Sequence, residues 1–210
     1  MGKVFRVVCI GILGLLLVTG CAKAPTQEVA DAKAQVAAAT TEDTKAYAAG
    51  ELDQLNKNLA AAEEEVKLQS GKLFGNFDKA KEMLAAIKTD AENVSRVAAQ
   101  KKEAAQKAKE EARNAAVAAQ AQATAAIDAA KTLLAQVPVN KRTKAQIETI
   151  NADLAKYGKS ILGIQALIGQ EKFSEAVDNA NIIKGNAESV KSQVQAIIEQ
   201  EASKATKKKK

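Results

Sequence analysis

Residues 77–98 read FDKAKEMLAAIKTDAENVSRVA, and their apolar members fall at Phe77, Ala80, Leu84, Ile87, Ala91, Val94 and Ala98. The steps alternate between three and four. That spacing lays one apolar stripe along a helix with a repeat of seven, the seam of helices that pack side by side. The sevenfold step continues through Ala105, Ala112, Ala119 and Ala126 to Leu133, with Ala108, Ala115 and Ala129 beside it. Lys101 and Gln122 interrupt the second row. The pattern predicts one long helix over 77–135, ended by "VPVN" (137–140), because Pro138 lacks the N–H that would continue the ladder.

Working outward, Leu52, Leu55, Leu59, Ala62, Val66 and Leu73 form a second stripe upstream. "SGKLFGN" (70–76) separates the two, with Gly71 and Gly75 as turn residues. Antiparallel pairing about that turn sets Ala105 opposite Lys45 and Ala119 opposite Asp31. A further stripe, Val29, Ala32, Val36 and Ala39, is out of phase with Leu52 by two positions, so "TTEDTKAYAAG" (40–50) is expected to hold a kink or break.

Downstream, "TKAQ" (143–146) reads as a capping box, in which side chains and backbone N–H groups bond reciprocally. Ile147, Ile150, Leu154, Tyr157, Ile161, Ile164 and Ile168 form the next stripe. "GQEK" (169–172) turns the chain, and Phe173, Ala176, Ala180, Ile183, Ala187, Val190, Val194 and Ile197 follow. Both helices are expected to fold back on the far half of the long one. "IKTDAENV" (87–94) matches "IKGNAESV" (183–190) at a spacing of 96, and Leu52, Leu55 and Leu59 match Ile147, Ile150 and Leu154 at 95, the mark of one unit used twice.

The expected fold is all-α: elongated antiparallel helical hairpins in a coiled-coil bundle, with one very long central helix and an internal duplication. The expected segments are 1–20 as a signal peptide and 21–27 as a linker. Residues 28–136 form a first hairpin, 137–142 a break and 143–203 a second hairpin. Residues 204–210 are a disordered poly-Lys tail.

Composition narrows the chemistry. Aromatic residues are 3% and His is absent, which removes the commonest general base and zinc ligand. The two cysteines, Cys9 and Cys21, form no metal or redox pair. No glycine-rich phosphate loop is present. No catalytic residue, metal ligand or resident cofactor is singled out, and the sequence points away from an enzyme.

The net charge of +6 is unevenly placed. Of 31 basic side chains, two (Lys3 and Arg6) lie at the start and five (Lys204 and Lys207–Lys210) at the end, leaving 24 against 25 acidic ones. The body therefore lacks the clustered Lys and Arg of a nucleic-acid face. Three readings of the tail stand open: a solubilising end, an electrostatic contact to anionic lipid or polymer, and a covalent link. The last draws on a resemblance to the murein lipoprotein, which implies that the terminal Lys210 joins peptidoglycan.

The first residues, "MGKVFR" and then "VVCIGILGLLLV" (7–18), carry charge and then an unbroken apolar run. That is the layout of an export signal, and the run is short for a membrane span, which needs about 20 residues. A retained short anchor is the alternative. Val18-Thr19-Gly20-Cys21 resembles the lipobox of bacterial lipoproteins, with Val at the place usually held by Leu. The resemblance implies cleavage before Cys21 and a diacylglycerol thioether on its sulfur, where the thiolate is the nucleophile. Ala22 follows where an Asp would mark inner-membrane retention, which favours the outer membrane.

Residues 25–100 resemble a domain of unknown function found in alanine-rich bacterial envelope lipoproteins. Pro25, Tyr47, Glu51, Leu52, Leu59, Gly75, Phe77 and Ala80 carry the likeness, and Gly50 stands where the family often has Pro. Some relatives add a domain resembling the C-terminal part of outer membrane protein A; no such segment is visible here. The resemblance implies helical hairpins in the envelope and no activity. The expectation is thus a non-enzymatic, lipid-anchored outer-membrane protein facing the periplasm as scaffold, spacer or tether. Its expected partners are the membrane through Cys21, and peptidoglycan or another anionic component through Lys207, Lys208, Lys209 and Lys210. The alternative is a chaperone-like assembly factor that grips another envelope protein between its helical arms.

Overall fold

A computed structural model describes residues 23–207. Among these there are six helices and no strand: α1 (Thr26–Ala39), α2 (Glu42–Tyr47), α3 (Ala49–Ser70), α4 (Asp78–Leu134), α5 (Lys144–Gly169) and α6 (Phe173–Lys207). The chain is all-α with one very long central helix. It divides into two compact units at 105/106, inside α4, and not at 137–142. The reason is that α4 contributes to two cores, its first half with α1 and α3 and its second half with α5 and α6.

In the first unit, α1 enters through buried Pro25 and buries Ala32, Val36 and Ala39. The expected kink at 40–50 is a full reversal. Thr41 caps α2: its hydroxyl accepts from the Thr44 N–H (3.1 Å), and the Thr44 hydroxyl accepts from the Thr41 N–H (2.8 Å). Thr44 is buried and also donates to the Ala39 carbonyl at 2.7 Å. The chain therefore turns back, and Lys33 of α1 pairs with Glu63 of α3 at 2.7 Å. The pairing of Asp31 with the region of Ala119 is overturned. Glu28 and Asp31 instead line a hollow with Lys81 and Leu84, and Gln35 and Ala39 line another with Ala91 and Ser95. The unit is three helices side by side rather than one long hairpin.

The second unit repeats this plan with the far half of α4, then α5 and α6. Ala32, Val36 and Ala39 correspond in burial to Ala130, Leu134 and Val137 at a spacing of 98. Ala80, Leu84, Ile87 and Ala91 correspond to Ala176, Ala180, Ile183 and Ala187 at 96. The corner repeats at 99. Thr143 is buried and donates to the Pro138 carbonyl at 2.6 Å, as Thr44 does to Ala39. Its capping box is not formed. The Asn140 side chain takes that role three residues earlier, accepting from the N–H groups of Arg142 and Thr143. Each corner is also tied to the third helix of its unit, with the signs exchanged. Asp43 pairs with Lys102 at 2.7 Å, and at the same spacing of 99 Arg142 pairs with Glu201 at 2.8 Å.

The seam of α4 departs from the sevenfold register in the second unit. Ala116, Ala123, Ile127, Ala130 and Leu134 are buried, while Ala105, Ala108, Ala115 and Ala129 are exposed. No side chain between Ala98 and Ala116 is buried. A straight α-helix drifts from a seven-residue repeat by about 20° per heptad. Without a seam to hold the period across that stretch, each core selects its own face. The charges there reach α3 and α2 through Lys101 to Glu51 (2.9 Å) and Lys102 to Asp43, and the α5–α6 turn through Lys109 to Glu171 (2.6 Å).

Two boundaries differ from expectation. Helix α1 starts at Thr26, inside the expected linker. Helix α6 runs to Lys207, so residues 204–207 of the expected disordered tail are helical. Ala and Lys are good helix formers, and cations suit a helix C-terminus.

The α5–α6 turn carries the one non-glycine residue with positive φ among those described, Glu171 at 61°. The Lys172 N–H donates to the Leu167 carbonyl (2.9 Å) and the Glu171 N–H to that of Ile168 (3.1 Å). This is a Schellman motif with Glu where Gly is usual. The left-handed conformation costs a residue bearing a Cβ about 1–2 kcal/mol, and the exposed Lys109–Glu171 pair returns little of it. Glu171→Gly is expected to raise stability by about 0.5–1 kcal/mol, read from the urea unfolding midpoint. An unchanged or lower midpoint contradicts the strain.

Candidate functional site

The two units differ at their turns. By the spacing of 95, Leu73 corresponds to Ile168, which lies inside α5 and packs against the second core. In the first unit, α3 stops at Ser70, and the chain crosses to α4 through Gly71–Phe77 without a helix. Leu73 and Phe74 stand 86% and 85% exposed there, and Leu68 is exposed beside them on the last turns of α3. Phe77, three residues on, is buried. A large apolar side chain in water gains nothing for the fold, whereas a buried Leu or Phe contributes about 1.5–3 kcal/mol.

The tip is braced. Gln69 Nε2 donates to Glu65 Oε1 at 2.7 Å, and Lys79 Nζ, across the turn on α4, donates to Glu65 Oε2 at 3.2 Å. The Asn76 N–H donates to Gln69 Oε1 at 3.3 Å. The Asn76 side chain in turn accepts from the Asp78 N–H at 2.8 Å and caps α4. Gly75 passes so close to the Gln69 carbonyl that a Cβ there would fall inside contact distance of its oxygen. Leu73 and Phe74 are thus presented by a loop closed at both ends.

The Gln69 and Lys79 donors hold the Glu65 carboxyl below its usual 4.5. At the second corner, Arg142 and then Asn140 do the same for Glu201. On α3, the hydrogen bond from Lys101 does so for Glu51.

The start of α1 lies at this same end of the unit. The hollow shared by Glu28, Asp31, Lys81 and Leu84 and the next one along, shared by Gln35, Ala39, Ala91 and Ser95, show α1 and α4 running parallel. Glu28 is level with Lys81, so Thr26 is level with the first residues of α4. The tip and the entry of the chain into the fold are neighbours.

The residues singled out from sequence lie elsewhere. Val18, Thr19, Gly20 and Cys21 fall outside the described residues, as do Lys208, Lys209 and Lys210; Lys207 is the last residue of α6. Among the described residues, no helix is long and apolar enough to cross a membrane. Nor is any group of three or more His, Cys, Asp or Glu placed to hold a metal ion. No family model, curated protein or solved structure matches the chain.

Two outcomes test the bracing. Gly75→Ala is expected to lower stability by about 1–3 kcal/mol, the usual cost of forcing atoms into a filled site. Gly71→Ala, whose added Cβ would meet only ordinary contacts, is expected to change it little; equal effects in urea unfolding contradict the close approach. The second concerns acid. Glu65 has a depressed folded pKa, so its stabilising effect is present above the unfolded value and is lost as pH falls through the folded one. Thermal unfolding followed from pH 6 to pH 3 is expected to show a shallower fall for Gln69→Ala than for the parent chain. An identical slope removes Glu65 from the brace.

Proposed function

We propose that this chain is a bacterial envelope lipoprotein, fixed to the periplasmic face of the outer membrane by acyl chains on Cys21 and acting without catalysis as a helical scaffold, spacer or tether. The observation that carries the reading is the order of the first residues. Lys3 and Arg6 precede the apolar run 7–18, and Val18-Thr19-Gly20-Cys21 follows it. The resemblance to alanine-rich envelope lipoproteins over 25–100 supports it. So does the closeness of Cys21 to the first helix: four residues lie between it and Thr26. Two or three acyl chains hold a protein firmly, since each buried CH₂ contributes about 0.8 kcal/mol and a single chain is marginal. Lys207 ends α6, and Lys208, Lys209 and Lys210 come next in the sequence, a run of positive charge for an anionic envelope component, lipid or peptidoglycan.

In this reading, mass spectrometry of the protein from a bacterial host finds an N-terminal peptide that begins at acylated Cys21. Cys21→Ala abolishes both the acylation and the cleavage. Deleting residues 204–210 removes only the last four residues of α6 from the helical signal and reduces co-sedimentation with the cell wall. An unacylated Cys21 in the parent protein overturns the anchor, and unchanged co-sedimentation overturns the tail contact.

A further inference from the structure

We propose that Leu73 and Phe74 form a second membrane contact, inserting from the α3–α4 tip into the lipid surface that holds the N-terminal segment. The inference rests on the anchored reading above and adds to it the residues that face the bilayer. Three observations carry it.

First, the tip exposes two adjacent large apolar side chains, 86% and 85% accessible, on a loop braced by Glu65, Gln69 and Lys79. The fold does not need them inside, and the corresponding Ile168 of the second unit is packed away.

Second, the tip lies beside the start of α1, where the 22 residues outside the structure join the fold through Lys23. Cys21 precedes Thr26 by five residues, which an extended chain spans in at most about 18 Å. A surface that holds Cys21, or that holds the apolar run 7–18 just before it, is therefore within reach of this end of the unit. The far corner at 40–48 is a helix length further away.

Third, the charge around the tip is balanced. Lys23, Lys67, Lys72, Lys79 and Lys81 stand against Glu28, Glu64, Glu65, Asp78 and Glu82. The contact is apolar in kind, and its occupant is the acyl and glycerol layer of a bilayer rather than a charged polymer. An anchored tip meets that layer at high effective concentration, so two side chains suffice where a free protein would need more.

The test uses the full, acylated protein in vesicles of phosphatidylethanolamine and phosphatidylglycerol. Lys72→Cys places an environment-sensitive fluorophore next to the tip without removing Leu73 or Phe74; Ala99→Cys, on an exposed turn of α4, serves as the comparison. Lipids carrying a nitroxide high on the acyl chain are expected to quench the label at 72 and spare the label at 99. Adding Leu73→Ser and Phe74→Ser is expected to reduce quenching at 72 several-fold at unchanged helicity, with little dependence on salt. Equal aqueous exposure at 72 and 99 overturns the proposal whether or not Cys21 is acylated. The mass of the same sample reports the acyl chains separately, so loss of the anchor is read apart from loss of the tip contact. A photo-crosslinker at Phe74 that couples to protein and never to lipid in intact cells overturns it in favour of a protein partner.

Discussion

Close approach of helices at alanine is the constraint on which both units depend. Ala48, Ala62 and Ala80 in the first, and Ala116, Ala176 and Ala187 in the second, have no accessible surface. A buried methyl removes little area from water, far less than the about 1.5–3 kcal/mol of a fully buried Leu or Ile. Such a core gains instead from short interhelical distance and from the low entropic cost of ordering a side chain without rotamers. The larger fillers, Leu55 and Ile87 in one unit and Leu154 and Ile164 in the other, sit between the alanines. This arrangement has little tolerance, since a close-packed methyl contact has no space for a longer side chain.

A core of that kind does not fix where a chain must turn, and the corners do so separately. The two corners use one device: a buried threonine bonds back to a carbonyl five residues earlier, and an oxygen three residues before it caps the first turn. An ion pair then ties the corner to the third helix, Asp43–Lys102 in one unit and Arg142–Glu201 in the other. Exposed pairs such as Asp43–Lys102 contribute at most about 1 kcal/mol, and in the other pair Glu201 is the more sheltered partner. Their repetition with exchanged signs shows that the position is kept while the residues differ. The corner also absorbs a difference in length. Thr44 and Leu52 are eight residues apart, Thr143 and Ile147 four, about one helical turn.

Much of the fold was legible because apolar spacing reports helix faces. The stripes predicted α4 to within a residue or two, as they did α5 and the start of α6, and they placed both of these helices on the far half of α4. What escaped had no apolar signature. The reversal at 40–48 rests on the side-chain bonds of Thr41 and Thr44, which read in sequence only as a polar interval. Beyond Ala98 the expected row was only partly right: Ala119, Ala126 and Leu133 are half-buried against the second core, but the fully buried residues lie one position on, because alanine occurs on nearly every face there. Any sevenfold row finds apolar members, and Ala105 and Ala115 fitted as well as Ala116. Thr143 with Gln146 matched a capping box, yet Asn140 captured the N–H groups first. At the tip, Leu73, Phe74 and Phe77 formed one apolar cluster in sequence. Their division into two exposed residues and one buried accompanies the close pass of Gly75 by the Gln69 carbonyl, which spacing does not encode.

The role proposed for the tip depends on where the chain enters the fold. A protein held to a surface through one flexible point keeps its rotational freedom, and its helices then point in any direction the leash permits. Adding a contact at the same end removes part of that freedom without lengthening the leash. In the proposed arrangement, the Leu73–Phe74 loop and the segment before Pro25 meet one surface together, and α1, α3 and the first half of α4 then run away from it. Bracing by Gln69 and Lys79 matters in that setting, because a loop ordered before contact loses less entropy on insertion than one that must be ordered by it. In the same proposal the turn of the second unit meets no membrane, and its Ile168 packs against the core.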